Sequence, residues 1–96
     1  MKINFNNSNG ILNVELEGRL DTTTAPELEK FIGDNYNSTV SLVINCEKLA
    51  YISSAGLRVL LSTHKKTKGN MKLTSVGEVV MEVLEMTGFA DILVIE

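Results

Sequence analysis

The spacing of apolar residues changes period several times along this chain, and that alternation constrains the fold more than any single motif. Lys2 to Asn6 alternates apolar and polar side chains. Ile11, Val14, Leu16 and Leu20 follow after Asn9-Gly10, a dipeptide suited to the positive φ angles of a tight turn, so the spacing predicts a β-hairpin. Thr24-Ala25-Pro26-Glu27 has the spacing of a capping box with proline in the first turn, where its missing N–H costs nothing. A helix is expected from there, with Leu28, Phe31 and Ile32 as its buried stripe and Gly33 to Ser38 as its end. Val40 to Cys46 is nearly continuous apolar and β-branched sequence, as expected of a central strand covered on both faces.

From Ser54 the period becomes helical. Leu57, Leu60, Leu61 and His64 fall on one stripe, with Arg58, Ser62, Lys65 and Lys66 opposite, and Gly69-Asn70 closes the helix. Met71 to Val76 reads as a strand and Val79 to Met86 as a third helix stopped by Gly88. Ile92 to Ile95 reads as a last short strand. Strands alternating with helices imply right-handed crossovers. The expected fold is α/β: a small mixed, mostly parallel sheet with an N-terminal β-hairpin and three crossover helices.

Ninety-six residues fit one domain, 1–96. With 44% apolar and 22% charged residues, the chain can bury a core. Its longest uninterrupted apolar run is far shorter than the roughly 20 residues of a membrane-spanning helix, and its start lacks the apolar stretch of a secretory signal. A cytoplasmic location is therefore expected, in keeping with an unpaired Cys46 used as a small core residue. Nine Lys and Arg against twelve Asp and Glu give a net charge of −3, the wrong sign for broad contact with phosphate backbones, so direct DNA binding is not expected. Arg58, Lys65, Lys66, Lys68 and Lys72 cluster in one stretch, while residues 73 to 96 carry five acids and no base. That pattern suits a solvated helix face with cations near its C-terminus.

In open α/β sheets, ligands and partners gather at the carboxyl ends of the parallel strands. That rule selects Gly18 to Thr24 and the segment from Cys46 to Ser54, whose Leu49, Tyr51 and Ile52 are expected to tuck under the sheet. Ser53-Ser54-Ala55-Gly56 places two hydroxyls where helix N–H groups lack internal partners. One serine suffices as an N-cap. A phosphoryl group on Ser54 would also be favoured there by the free N–H groups and the helix dipole. Gly56, without a side chain, is expected to leave room for a partner's backbone.

The stretch Tyr51-Ile52-Ser53-Ser54-Ala55-Gly56-Leu57, with Gly18-Arg19-Leu20-Asp21 upstream and Leu84-Glu85-Met86-Thr87-Gly88-Phe89 near the end, resembles the STAS domain of bacterial anti-sigma factor antagonists. The resemblance covers essentially the whole chain. It implies a partner-switching protein whose unphosphorylated form binds a partner that is both anti-sigma factor and serine kinase, of the histidine-kinase-like ATPase class, and so frees the sigma factor. Phosphorylation, implied at Ser54, blocks that binding, and a metal-dependent serine phosphatase resets the switch. The implied docking surface comprises Asp21, Thr22, Ser53, Ser54, Ala55, Gly56, Leu57 and Arg58. Three positions depart from the commonest pattern: Ser53 replaces an acid, Ala55 replaces Ser or Thr, and Arg58 stands where many members have glycine. Ser53 thus offers a second hydroxyl, and Arg58 puts a long cation on the docking face.

STAS domains also serve lipid-transport ABC complexes, and a constitutive binding subunit of such a complex is the alternative reading. An enzyme is not expected. Ser54, His64 and Asp21 would be the components of a nucleophilic triad, but ten residues along one helix separate Ser54 from His64 by about 15 Å. No cofactor or metal site is expected.

Overall fold

In the computed structural model, which describes residues 1 to 96, β1 (Lys2–Ser8) and β2 (Ile11–Leu20) form the expected hairpin, in register from Lys2 opposite Glu17 to Ser8 opposite Ile11. Asn9 and Gly10 take φ of 53° and 75°, the left-handed pair that the right-handed twist of a two-residue hairpin requires. The chain continues through α1 (Ala25–Asn35), β3 (Ser41–Asn45), β4 (Leu49–Ile52), α2 (Ser54–Lys66), β5 (Met71–Thr74) and α3 (Glu78–Met86). The sheet runs β1-β2-β3-β5, with β1 antiparallel and the other pairings parallel. The mixed, mostly parallel architecture is the one the periodicity predicts.

Both crossovers, β2 to β3 through α1 and β3 to β5 through α2, step the same way along the sheet. Two right-handed crossovers in one direction place both helices on the same face. The expectation that Val40 to Cys46 is covered on both faces is therefore corrected. Leu42, Ile44 and Cys46 are buried, whereas Ser41, Val43 and Asn45 between them are only half-buried. The uncovered face is a shallow concavity of about 420 Å³, with Asn4, Asn6, Asn13, Glu15, Asn45 and Thr74 among its lining. On the covered face Leu12, Val14 and Leu16 of β2 join Leu28, Ile32, Leu60, Leu73, Val80 and Leu84 in one apolar cluster.

Three local differences matter. Leu49 to Ile52, expected as packed loop, is the strand β4, which resumes along β2 at Gly18 to Leu20 the pairing that β3 leaves at Glu15. The last strand is reduced to one parallel bridge between Leu73 and Ile95, because a 3₁₀ turn at Phe89–Asp91 follows Gly88 and uses up the connecting length. On α2 the buried stripe is Gly56, Leu57, Val59, Leu60 and Thr63; Leu61 and His64 are rotated to its edge and only half-buried. Thr63 is tolerated inside because its hydroxyl donates to the Val59 carbonyl at 2.7 Å.

Burial alone pushes the Cys46 thiol up to about 12. At pH 8 roughly one molecule in ten thousand then carries the thiolate that reacts with disulfide reagents. Native protein should therefore resist dithiobis(nitrobenzoate) for hours and react fully once denatured, as absorbance at 412 nm would report.

Candidate partner-docking site

The site is built where β2 and β4 end together. A register shift between Gly18 and Arg19, with Gly18 at φ 107°, turns the last residues of β2 onto β4. Leu20 then pairs with Ile52, and the Ser53 N–H donates to the Leu20 carbonyl at 2.9 Å. The loop beginning at Asp21 and the turn Ser53-Ser54 therefore leave the sheet side by side, as the strand-end rule anticipates.

Asp21 is fixed by its own loop. Its Oδ1 accepts from the backbone N–H of Thr23 at 3.0 Å and of Thr24 at 3.2 Å. The expected capping box at Thr24 and Glu27 does not form. The Thr24 hydroxyl instead donates to the Arg19 carbonyl at 2.7 Å and accepts from the Asp21 N–H at 2.8 Å, leaving α1 without a side-chain cap. Hydrogen bonding from the Thr24 backbone, more than that from Thr23, the Thr24 hydroxyl or the nearby Arg19 guanidinium, holds the Asp21 carboxyl below its ordinary range against an opposing desolvation. A lowered folded pKa gives a contribution to stability that is present above the unfolded pKa and lost as pH falls through the folded one. Asp21→Ala, which leaves the Thr23 and Thr24 N–H groups without their acceptor, should lower the thermal midpoint at pH 7, while Asp21→Asn, which keeps an acceptor oxygen, should lose less. The gap between wild type and Asp21→Ala should narrow below about pH 4, where the unfolded carboxyl protonates. A pH series of thermal melts checks both.

The two serines are not equivalent. Ser53 is the N-cap of α2, in extended conformation, half-buried, its Oγ accepting from the Gly56 N–H at 3.5 Å. Ser54 is the first helical residue; it is exposed, and its hydroxyl has no hydrogen-bond partner within the chain. The backbone N–H groups of Ser54 and Ala55 likewise have no acceptor in the protein.

Gly56 and Leu57, also expected in the docking surface, are buried in the free chain and present no side chain at its surface. A Cβ on Gly56 would lie 2.7 Å from Leu20 Cγ and 2.9 Å from the Leu20 carbonyl oxygen. Glycine is required because α2 sits directly on the end of β2. Thr22, Ser54 and Arg58 are exposed and Ala55 half-buried. Thr22, Ala55 and Arg58 line a groove of about 330 Å³ between α1 and α2, floored in part by Ala25, Pro26 and Val59 and bordered by Glu29. Arg58 forms no ion pair, and neither does Glu29. His64 lies near the far end of α2, ten residues from Ser54, so the triad components are not assembled.

One rim feature escaped sequence reasoning. The Arg19 guanidinium stacks 4.2 Å above the Tyr51 ring, with its Nε 3.7 Å from Asp21 Oδ2. The pairing of Arg19 with Tyr51 follows only once residues 49 to 52 are a strand, so no motif announced it.

The family model of the STAS domain matches residues 2–96. BtrV of Bordetella bronchiseptica, described as an anti-sigma factor antagonist, is 32% identical over 96 residues, covering 96% of this chain and 83% of its own. The anti-sigma-B factor antagonist of Staphylococcus aureus is 30% identical, covering 83% and 78%. A crystal structure of an anti-sigma factor antagonist from Mycobacterium paratuberculosis superposes with a TM-score of 0.87 at 24% identity, over 98% of this chain and 83% of that one. A continuous match from the hairpin to the final bridge, together with relatives of 30% identity or more aligned over about four fifths of their length, places this chain in the STAS domain family of bacterial anti-sigma factor antagonists.

Proposed function

We propose that this protein is an anti-sigma factor antagonist switched by phosphorylation of Ser54. The unphosphorylated form binds an anti-sigma factor that is also a serine kinase of the histidine-kinase-like ATPase class, and the sigma factor is released. The kinase passes the γ-phosphoryl group of ATP to Ser54 Oγ, forming the new P–O bond as the bond to ADP breaks, and the hydroxyl proton leaves to a base of the kinase. A serine phosphatase then returns the hydroxyl by hydrolysis, releasing inorganic phosphate. The family membership supports the general role. One observation carries the choice of acceptor: Ser53 is spent on capping α2, while Ser54 is exposed beside it with a free hydroxyl. Asp21, Thr22, Ala55 and Arg58 supply the surrounding docking surface.

Incubating wild type, Ser53→Ala and Ser54→Ala with the cognate kinase and ATP, then measuring intact mass, tests this reading. One phosphate on wild type and Ser53→Ala and none on Ser54→Ala is expected. Phosphate retained on Ser54→Ala but absent from Ser53→Ala would move the switch to Ser53. No phosphate on any of the three would favour a constitutive binding subunit of a lipid-transport ABC complex.

A further inference from the structure

Within the proposed docking surface, Arg58 is the cation that the switch at Ser54 does not itself require. It is exposed, forms no ion pair, and borders the groove between α1 and α2 one helical turn after Ser54. The other cation nearby, Arg19, is already engaged by the Tyr51 ring and the Asp21 carboxylate. Ser54 and Arg58 stand at i and i+4 of α2, a spacing that puts Cβ atoms about 5–6 Å apart on the same helix face. An anion four residues before a cation is also the stronger of the two orientations along a helix. Ser53 precedes the helix and lies outside that row.

We propose that Arg58 is the internal ligand of phosphorylated Ser54: its guanidinium pairs with the phosphate and swings away from the groove between α1 and α2. The pairing rests on Ser54 as the acceptor. Two phosphate oxygens match the planar fork of the guanidinium, and a third remains for the free N–H groups at the start of α2. Phosphorylation then changes the docking face in two places with one event. It adds an anion at the helix start and takes a cation from the groove rim, where Glu29 is left as the unpaired charge. A partner helix bearing an acid for Arg58 therefore loses its counter-charge as well as meeting the phosphate.

Phosphoserine inserted during translation at position 54 tests this without any kinase. The second ionisation of the phosphate is followed by ³¹P NMR in the full chain with Arg58, Arg58→Lys and Arg58→Ala. Asp21 and Arg19 at the end of β2, Glu29 on α1 across the groove and Tyr51 on β4 are the other ionisable groups beside the site, and all three proteins share them. The pKa should be lower with Arg58 than with Arg58→Ala by about half a unit, roughly threefold in proton affinity, with Arg58→Lys between them. Equal values in all three would overturn the pairing. So would an equal Arg58 dependence for phosphoserine placed at position 53. A kinase that ignores Ser54 would defeat the proposed switch alone, whereas equal pKa values would defeat only the role of Arg58.

Discussion

Gly56→Ala should lower the thermal midpoint by about 10 °C, and Gly56→Leu should leave no folded protein at 37 °C. A Cβ at this position meets the Leu20 carbonyl oxygen at 2.9 Å, and that oxygen is held in place by the Ser53 N–H and the pairing of Leu20 with Ile52. Overpacking of that kind costs on the order of 1–3 kcal/mol for a single methyl, and each kcal/mol moves the midpoint of a domain this size by about 4–8 °C. Leucine adds three more carbons toward Ile52 Cγ1, itself 3.0 Å from the added Cβ. Circular dichroism melts of both variants provide the measurement. A folded Gly56→Leu that lost only partner binding would return residue 56 to the docking surface, where the sequence alone had placed it.

The second large effect concerns affinity. Ser54→Ala should bind the kinase as wild type does and remain a permanently active antagonist, whereas phosphorylated wild type should bind about a thousandfold more weakly. Bringing a dianion into a closing interface strips its hydration, and a buried charge without a partner-side counter-ion costs several kcal/mol, at about 1.4 kcal/mol per decade of affinity. Ser54→Glu, with one charge and a different shape, should fall between the two. Titration calorimetry against the kinase, with melts to show that all forms are folded, distinguishes loss of docking from loss of structure. Phosphorylated protein that bound as tightly as Ser54→Ala would show the interface to lie elsewhere.

Much of this was legible in the amino-acid order because local signals agreed with one another. Asn9-Gly10 fixed the hairpin turn and Gly88 at φ 81° the stop after α3, since few other residues take those backbone angles. Other features depended on distant residues. Leu49 to Ile52 becomes a strand only because Gly18 redirects β2 to meet it, and four residues carry too little periodicity to reveal that. The apolar run from Val40 to Cys46 mimics a strand buried twice over; what leaves Val43 and Asn45 half-open is the direction of two crossovers, a property of chain path. At the site, spacing identified Ser53 and Ser54 as a pair but could not divide their tasks. A start to α2 one residue later would have exchanged the capping hydroxyl and the free one. Gly56 was ambiguous for a related reason: a missing side chain serves close approach equally well from outside and from inside, and Leu20 beneath it supplies an inside need that spacing does not reveal.

β2 is hydrogen-bonded along almost all of its ten residues, by β1 on one edge and by β3 and then β4 in succession. Fraying starts where strands have a free edge or end, and here those lie at β1, β4, β5 and the C-terminal bridge. The loop carrying Asp21 hangs from the strand that opens last, and β4, which leads into Ser53, is held on that strand through the pairing of Leu20 with Ile52. Amides of Leu12 to Leu16 should thus be among the slowest in the molecule to exchange with deuterium, and the anchorage of the switch should persist through partial openings that release β1 or the C-terminus. Under the proposed switch, a kinase and a phosphatase working in alternation would meet the same backbone outline on every cycle, changed only in what Ser54 carries and where the Arg58 side chain rests.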